Sequence, residues 1–154
     1  MLRGIELPLL GSGKRAFGVP SMHASDGALL MTAFLALAHG NTPDILLLEE
    51  PAAGLHPNTI PRLVETLRMV SRGDLGQGPR QVIVATHNPV FLNSLSPSEV
   101  RLLNRDPKLG TRVYNLSEIP NIERLLYGVG VGDIWQKLGE EGFLAQFYKR
   151  QEQP

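Results

Sequence analysis

The distribution of apolar residues predicts alternating strands and helices along the central part of this chain. Residues 28–38 are almost continuously apolar, which predicts a helix buried on all sides. Residues 45–48 are a continuous aliphatic run without polar alternation, a pattern typical of strands buried on both faces of a parallel sheet. Residues 81–86 predict a second buried strand. Between them, apolar positions at helical spacing predict an amphipathic helix over residues 57–72. Strand, helix and strand in this order predict a right-handed parallel crossover.

The two ends of the chain predict shorter elements. Residues 1–22 contain two short apolar stretches around Gly-Ser-Gly-Lys at 11–14, so two strands joined by a tight turn are expected there. Residues 121–150 are expected to be helical, with an interruption near Gly128, and to end in a polar segment.

The segment after the crossover predicts a short helix and a hairpin. Asn-Pro at 88–89 opens a helix that runs to about Leu95. Residues 99–104 and 111–116 predict two strands of an edge hairpin. The fold class that follows is α/β, with a mainly parallel sheet, flanking helices and an edge β-hairpin.

Composition narrows the classes of function without selecting one. The 154 residues are 42% hydrophobic, enough for one domain with a core. Fifteen basic and fifteen acidic residues give a net charge of zero, so charge supports neither nucleic-acid nor anionic-membrane binding. The absence of cysteine excludes disulfides and thiolate metal sites. With no apolar run of about 18 residues and no signal-peptide pattern, a cytoplasmic protein is expected.

Two adjacent carboxylates, Glu49 and Glu50, directly follow the aliphatic run at 45–48. Ligands of open α/β sheets bind at the carboxyl ends of the strands. One carboxylate can hold Mg²⁺, directly or through its waters, and the other can deprotonate an attacking water. An isolated acidic pair could also lie where a strand runs into a solvated loop. The neighbouring motifs therefore decide between a catalytic site and a solvated loop.

Two further motifs are expected near these carboxylates. His87 ends the second strand at the same sheet edge, where an imidazole can hydrogen-bond a phosphate oxygen or a water. Ser25, Asp26 and Gly27 precede the apolar helix, whose N-terminus can bind an anion. Taken singly, His87 could be a packing or capping residue, and the Ser-Asp-Gly motif could be an ordinary helix cap.

In their order along the chain, these motifs resemble one family. Ser-Asp-Gly before a helix, a strand ending in Glu-Glu-Pro, Gly-Leu-His-Pro, and a strand ending in Thr-His-Asn-Pro are similar to the ATP-binding-cassette ATPases. The soluble RecF, SMC and OLD-like predicted AAA ATPases are the most similar branch. The resemblance covers about residues 20–95, and Asp-Ile-Trp at 133–135 also looks like the tail of such ATPases. It implies the C-terminal lobe of a P-loop NTPase.

The resemblance implies a role for each strand-end residue. Glu49 would be the Walker B acid that serves Mg²⁺, Glu50 the catalytic base and His87 the switch histidine. The Walker B acid is usually Asp in this family, and Glu49 departs from that pattern by one methylene.

The resemblance also implies a nucleotide contact in trans. Ser25, Asp26 and Gly27 would form the signature motif, which contacts the γ-phosphate held by a partner lobe. Gly54 and His56 would belong to the D-loop at a dimer interface. The form Ser-Asp-Gly, rather than the transporter form Ser-Gly-Gly, favours the soluble branch. ATP and Mg²⁺ are the implied cofactors.

The phosphate-binding loop of the family is missing from this sequence. A Gly-x-x-x-x-Gly-Lys-Ser/Thr motif ending at Lys14 would need Gly at position 8 and a hydroxyl residue at 15, where the chain has Pro8 and Arg15. A single partial ATPase domain is therefore expected: a lead-in hairpin at 1–24, the motif-bearing core at 25–117 and a helical tail at 118–154.

The expected function is ATP binding and hydrolysis together with a Walker A-bearing lobe from elsewhere, in a homo- or heterodimer of ATPase domains. Turnover by this chain alone is not expected. The alternatives are a non-catalytic interaction or regulatory module, and a truncated ATPase fragment. The biological process is left open.

Overall fold

The computed structural model describes residues 6–10, 16–20, 23–40, 43–75, 78–106 and 110–148. In chain order its strands and longer helices are β1 Glu6–Leu10, β2 Ala16–Pro20, α1 Asp26–His39, β3 Ile45–Glu49, α2 Ile60–Arg72, β4 Gln81–Ala85, α3 Pro89–Asn93, β5 Arg101–Asp106, β6 Gly110–Asn115, α4 Ile122–Leu125 and α5 Val131–Tyr148. The described strands pair as three two-stranded sheets: β1 with β2, β3 with β4, and β5 with β6. The chain divides into two compact units, residues 1–48 with 53–83, and residues 49–52 with 84–154.

The first unit begins with the predicted lead-in hairpin. β1 and β2 pair antiparallel, from Glu6 opposite Pro20 to Leu10 opposite Ala16. The predicted tight turn at 11–14 lies outside the described residues.

Helix α2 confirms the amphipathic helix predicted for this part of the chain. A 3₁₀ turn at Pro57–Thr59 leads into it, and its apolar side is buried. The buried residues are Ile60, Leu63, Val64, Leu67 and Val70. The helix ends at Gly73, whose φ of 82° is the left-handed conformation that glycine adopts readily. Helix α1 packs against α2.

The predicted burial of α1 on all sides is wrong. Phe34 and Ala38 are buried, but Leu35 and Leu37 are 44% and 40% exposed. A helix that is apolar all round needs neighbours on every side. The described part of the first unit covers only the side of α1 that carries Phe34 and Ala38.

The predicted burial of β3 and β4 on both faces is also wrong, although the two strands pair as expected. The Gln81 N–H donates to the Asp44 carbonyl and the Glu50 N–H to the Ala85 carbonyl, so the strands run parallel. Ile45, Leu47 and Ile83 are 51%, 71% and 48% exposed. Alternate residues of a strand face opposite sides, and one side of this two-stranded sheet is open in the first unit.

The second unit has its own hydrophobic core, built by α3 to α5 and the hairpin β5–β6. The buried residues are Leu92, Leu102, Leu116, Ile119, Ile122, Val131, Ile134 and Phe143. Trp135 stacks on Phe143 with ring centroids 5.9 Å apart, across a kink of α5 at Gly139. The helical tail is interrupted between Leu125 and Val131, which confirms the break expected near Gly128.

The predicted hairpin is present but is not an edge of the parallel sheet. β5 and β6 pair antiparallel, with Leu103 opposite Val113, and no other described strand joins them. Leu102 packs into the core of the second unit instead. The structure is thus mixed α/β with one parallel strand pair. Among the helices that the structure describes, none is long and apolar enough to span a membrane.

Candidate functional site

The predicted site residues fall into two groups, which we describe separately. The strand-end site, in the second unit, consists of Glu49, Glu50, Thr86 and His87. The helix-end cleft, in the first unit, lies around the N-terminus of α1 and contains the predicted residues Ser25, Asp26, Gly27, Gly54 and His56.

The strand-end site brings Glu50 and His87 into direct contact. The Nδ1 atom of His87 lies 2.7 Å from Oε1 of Glu50, and the backbone N–H of His87 donates to the same oxygen at 2.8 Å. The Thr86 hydroxyl donates to the other carboxylate oxygen, Oε2, at 2.9 Å. The end of β4 thus supplies three contacts to one carboxylate at the end of β3.

The backbone of Glu50 is unusual for a residue with a side chain. Its φ is 42°, in the left-handed region that non-glycine residues rarely occupy. Such a conformation costs about 1–3 kcal/mol and persists only where the surroundings enforce it. Here the Glu50 N–H donates to the Ala85 carbonyl at 2.8 Å, and the side chain is held by β4 as described above. Ala85 thus holds the backbone of Glu50, and the two residues that follow β4 hold its side chain.

The surroundings of Glu50 favour its ionised form. Partial burial acts to raise the pKa of Glu50, but the hydrogen bonds from Thr86 and from the His87 backbone, together with the charge and side-chain contact of His87, outweigh it. The pKa of Glu50 therefore lies below its ordinary value of 4.5. A carboxylate that accepts several hydrogen bonds is stabilised as the anion.

Thr86 is a site residue that the sequence reasoning missed. Its hydroxyl donates to Glu50 and also accepts from the Asn88 N–H at 3.1 Å. The Asn88 side chain in turn caps α3 by accepting from the N–H groups of Val90 and Phe91. The hydroxyl residue directly before His87 was the signal in the sequence, because a Thr hydroxyl can donate to a neighbouring carboxylate.

Glu49 ends the exposed face of β3, whereas the hydrogen bonds and the ion pair of the strand-end site are made by Glu50, Thr86 and His87. Its position continues the alternation of Ile45 and Leu47. Within the described residues, no group of three or more His, Cys, Asp or Glu side chains could enclose a metal ion. Mg²⁺ commonly binds one or two protein carboxylates and fills its other positions with water and phosphate oxygens, so an exposed Glu49 fits that mode of binding.

The helix-end cleft brings together the three residues predicted to contact a nucleotide in trans and the two predicted D-loop residues. It has a volume of about 510 Å³. Its lining residues are Ser25, Asp26, Gly27, Ala28, Met31, Gly54, Leu55, His56 and Thr59. A loop that precedes α2 and the first turn of α1 therefore form one concave surface.

The first turn of α1 lies very close to that loop. A Cβ on Gly27 would lie 3.3 Å from the Leu55 side chain and 3.5 Å from the Gly54 carbonyl oxygen. The first N–H groups of a helix have no acceptor within the helix. Ser25 accepts one of them, from Ala28, at 3.3 Å. Gly27 adds no side chain to this helix end, which lines the cleft.

His56 and Gly54 shape the loop side of the cleft. The Nδ1 atom of His56 accepts from the Asn58 N–H at 3.2 Å and caps the 3₁₀ turn before α2. Gly54 has a φ of 79°, and a Cβ there would meet nothing within 4 Å. Ser25 and His56 thus both act as caps, and both still line the cleft.

A parallel strand pair with an acid and a histidine in contact at its carboxyl end is compatible with an ATPase domain of the ABC and AAA class. Comparisons with known proteins show the family. The family model described as "AAA domain, putative AbiEii toxin, Type IV TA system" matches residues 9–93, more than half of the chain. The chain therefore belongs to this AAA domain family. The match covers both predicted groups of site residues, and it confirms the resemblance to ABC and AAA-type ATPases inferred from the sequence.

A curated relative is also named as an ATP-binding protein of the ABC class. A protein of Methanosarcina acetivorans named "Putative ABC transporter ATP-binding protein" is 34% identical over 76 residues, which is 49% of this chain. The matched segment spans about a quarter of that relative, 26% of its length.

Proposed function

We propose that this chain binds and hydrolyses ATP as the C-terminal lobe of an ATP-binding-cassette-type ATPase, completed by a Walker A-bearing lobe and by dimerisation. The observation that carries the proposal is the Glu50 carboxylate, held by Thr86 and His87 at the carboxyl end of a parallel strand. Membership of the AAA domain family supports an ATPase-type function in general.

Glu50 is the proposed general base. An ionised carboxylate offers about four acceptor positions, and three contacts from Thr86 and His87 occupy most of them. The remaining position can accept the proton of a water molecule. The same contacts fix the direction of the side chain, so Glu50 would meet that water without rearranging. A lowered pKa weakens Glu50 as a base but ensures that it is ionised at neutral pH.

His87 would connect Glu50 to the phosphate. Its contact with Glu50 uses Nδ1, and the side chain is 84% exposed, so Nε2 is accessible. With the Nδ1 proton directed at Glu50, a neutral ring accepts a water hydrogen bond at Nε2, whereas a protonated ring donates from Nε2 to a phosphate oxygen. In either protonation state, the His87 ring would orient a water molecule or a phosphate oxygen next to Glu50.

The other residues would bind the substrate. Glu49 would hold Mg²⁺, directly or through water, at the strand end. Ser25, Asp26 and Gly27 would present the N-terminus of α1 to the γ-phosphate of a nucleotide held by the partner lobe. Gly54 and His56 would contact that lobe. Bound MgATP supplies the phosphoanhydride bond and the cation that neutralises the charge of its oxygens.

A second lobe is part of the proposal because these 154 residues contain no Gly-x-x-x-x-Gly-Lys-Ser/Thr sequence. That loop normally supplies the backbone N–H groups and the lysine that neutralise the phosphates. The test is calorimetry of MgATP binding, first with this chain alone and then with a Walker A-bearing lobe of the same family. We expect at most millimolar affinity alone and tight binding after complementation. Tight binding by the chain alone would contradict the need for a second lobe.

Replacement of the base tests catalysis. Glu50→Gln keeps the size of the side chain and removes its ability to take a proton, so turnover in the complemented enzyme should fall about 100-fold or more while MgATP binding remains. Glu123→Gln, at an exposed position of α4, is the matched control and should keep full turnover. Undiminished hydrolysis by the Glu50→Gln variant would refute the assigned role.

A second candidate function is a non-catalytic interaction module. The exposed apolar residues Ile45, Leu47 and Ile83 favour it, because a surface of this kind is suited to a protein partner. Under this alternative the complemented protein would form a stable complex and show no hydrolysis that depends on Glu50.

A further inference from the structure

Helix α3 follows the strand-end site directly, and its C-terminal end is bound to α5. Asn93 and Asp133 exchange two hydrogen bonds: the Asn93 amide donates to Oδ1 of Asp133 at 2.9 Å, and the Asp133 N–H donates to Oδ1 of Asn93 at 3.1 Å. The other oxygen of Asp133, Oδ2, accepts from the Gly130 N–H at 2.9 Å. These bonds join two segments that are 40 residues apart in the sequence.

The N-terminal end of α3 is held by the same turn of α5 through packing. A Cβ on Gly132 would overlap the carbonyl oxygen of Pro89, and a Cβ on Gly130 would overlap the Asn93 side chain. The absence of a side chain at Gly132 lets the backbones of α5 and α3 lie this close, and at Gly130 it leaves room for the Asn93 side chain. Pro89 is the first residue of α3 and lies two positions after His87.

Between Pro89 and the strand-end site the chain is fixed by hydrogen bonds. Asn88 caps α3 through its side chain, and its carbonyl accepts from the Leu92 N–H at 3.0 Å. The Asn88 N–H donates to the Thr86 hydroxyl, which donates to Glu50. Phe91 is 1% exposed and anchors the middle of α3. A shift of α3 would therefore move the groups that hold the Glu50 carboxylate.

We propose that Asp133 and Gly132 are positioning residues of the strand-end site: the first turn of α5 holds α3 at both ends and so directs Thr86 and His87 at Glu50. The consequence for catalysis rests on the proposed function, whereas the positioning itself does not.

An ordinary helix cap accounts for only part of this arrangement. The hydrogen bond from the Gly130 N–H to Asp133, three residues further along the chain, is sufficient to cap the N-terminus of α5. The two bonds with Asn93 are additional, and they reach the element that follows His87. The Asn93 side chain, followed by the Gly130 N–H, holds the pKa of Asp133 below its ordinary value, so the carboxylate is ionised at neutral pH.

The test is amide hydrogen exchange of the full chain by NMR, with the His87 N–H as the reporter because it donates to Glu50. Asp133→Ala removes both carboxylate contacts and should accelerate exchange at His87 on the order of tenfold relative to amides of the hairpin β5–β6. Asp133→Asn keeps an acceptor for Asn93 and loses the contact with Gly130, so its effect should be intermediate. Glu141→Gln, an exposed carboxylate of the same helix, should leave the His87 rate unchanged.

The comparison with the hairpin separates positioning from general stabilisation. Equal acceleration of all amides, or an unchanged His87 rate in both Asp133 variants, would overturn the proposal. If Asp133→Ala does not fold, Asp133→Asn and Glu141→Gln still give the comparison. Gly132→Ala should produce the same local signature through Pro89.

An activity measurement then distinguishes this inference from the proposed function. In the complemented enzyme, Asp133→Asn should lower kcat with little change in KM, because it disturbs the base and not the nucleotide contacts. Absent turnover in the unmodified enzyme would count against the proposed function while the exchange experiment still decides the role of Asp133. Normal kcat together with faster His87 exchange would contradict a catalytic consequence of the positioning.

Discussion

At the scale of single residues, tertiary contacts hold Glu50 in a conformation that its local preference disfavours. A glutamate with a φ of 42° is unfavourable by itself. A backbone hydrogen bond to Ala85, and hydrogen bonds from Thr86 and His87 to the two carboxylate oxygens, hold it there. A conformation that is enforced in this way keeps the carboxylate pre-oriented, which is a property required of a catalytic group.

The contact between Thr86 and Glu50 should make stability depend on pH. A carboxyl group whose folded pKa is depressed contributes stability above its unfolded pKa and loses it as the pH falls through the folded pKa. Thr86→Val removes the hydroxyl donor, so the pKa of Glu50 should rise towards 4.5 and the free energy of unfolding at neutral pH should fall by about 1 kcal/mol. Below the folded pKa that difference should shrink.

Urea unfolding between neutral and acid pH, with the ¹³C shift of the Glu50 carboxyl group, measures both effects. Thr66→Val is the matched control, because the Thr66 hydroxyl donates to the Arg62 carbonyl within α2 and contacts no carboxylate. The change that Thr66→Val causes in the free energy of unfolding should not vary with pH. A Thr86→Val penalty that is equally independent of pH would contradict the assignment.

At the scale of elements, the helix whose pattern was clearest in the sequence formed as predicted. The apolar side of α2 recurs at helical spacing, and a glycine stands where the helix ends. The shorter elements also formed, but their neighbours were not all as expected: the hairpin β5–β6 packs in the second unit instead of extending the parallel sheet. The local pattern of apolar and polar residues determines whether a segment forms a helix or a strand. The position of a strand in a sheet depends on residues that are distant in the sequence.

The end of α2 provides a prediction about glycine. Gly73 has a φ of 82°, and a Cβ there would lie 2.6 Å from the Pro79 nitrogen. Gly73→Ala should therefore lower the free energy of unfolding by more than about 1 kcal/mol, through both strain and steric overlap. Gly54→Ala has a similar φ of 79° with nothing within 4 Å, so it should cost less. Chemical denaturation of both variants measures the difference, and equal penalties would mean that Pro79 moves away freely.

At the scale of the whole molecule, the distribution of exposed apolar side chains is the main departure from expectation. Leu35 and Leu37 on α1, and Ile45, Leu47 and Ile83 on the parallel strands, remain exposed in the first unit. Exposed apolar residues that cluster on one element mark a surface suited to association.

Leu47→Lys tests whether this strand face is open to solvent. Since Leu47 is 71% exposed, the substitution should change the free energy of unfolding by less than about 0.5 kcal/mol and reduce association of the chain in sedimentation velocity. Leu63→Ala is the contrasting control: that side chain is fully buried, and its truncation should cost about 2–5 kcal/mol. A Leu47→Lys penalty as large as that of Leu63→Ala would show that the face is covered.

The sequence by itself determined the order of the elements, the amphipathic side of α2, and the family, because these depend on residue spacing and on motifs that are contiguous in the chain. It also predicted that Glu50 and His87 would lie at the same edge of the sheet, where the ends of parallel strands meet, but their direct contact came from the structure. The roles of Glu49 and of the residues in the helix-end cleft remain predictions that the proposed experiments address.

Only the tertiary structure decided the burial of α1 and β3, the part played by Thr86, and the bonds between α3 and α5. Aliphatic runs show that a segment can be buried, but burial depends on which residues pack on each side. The contact of Asn93 with Asp133 joins residues 40 positions apart, and no local periodicity encodes such a pair. The contacts that hold the Glu50 carboxylate in place therefore came from the tertiary structure and not from the sequence pattern.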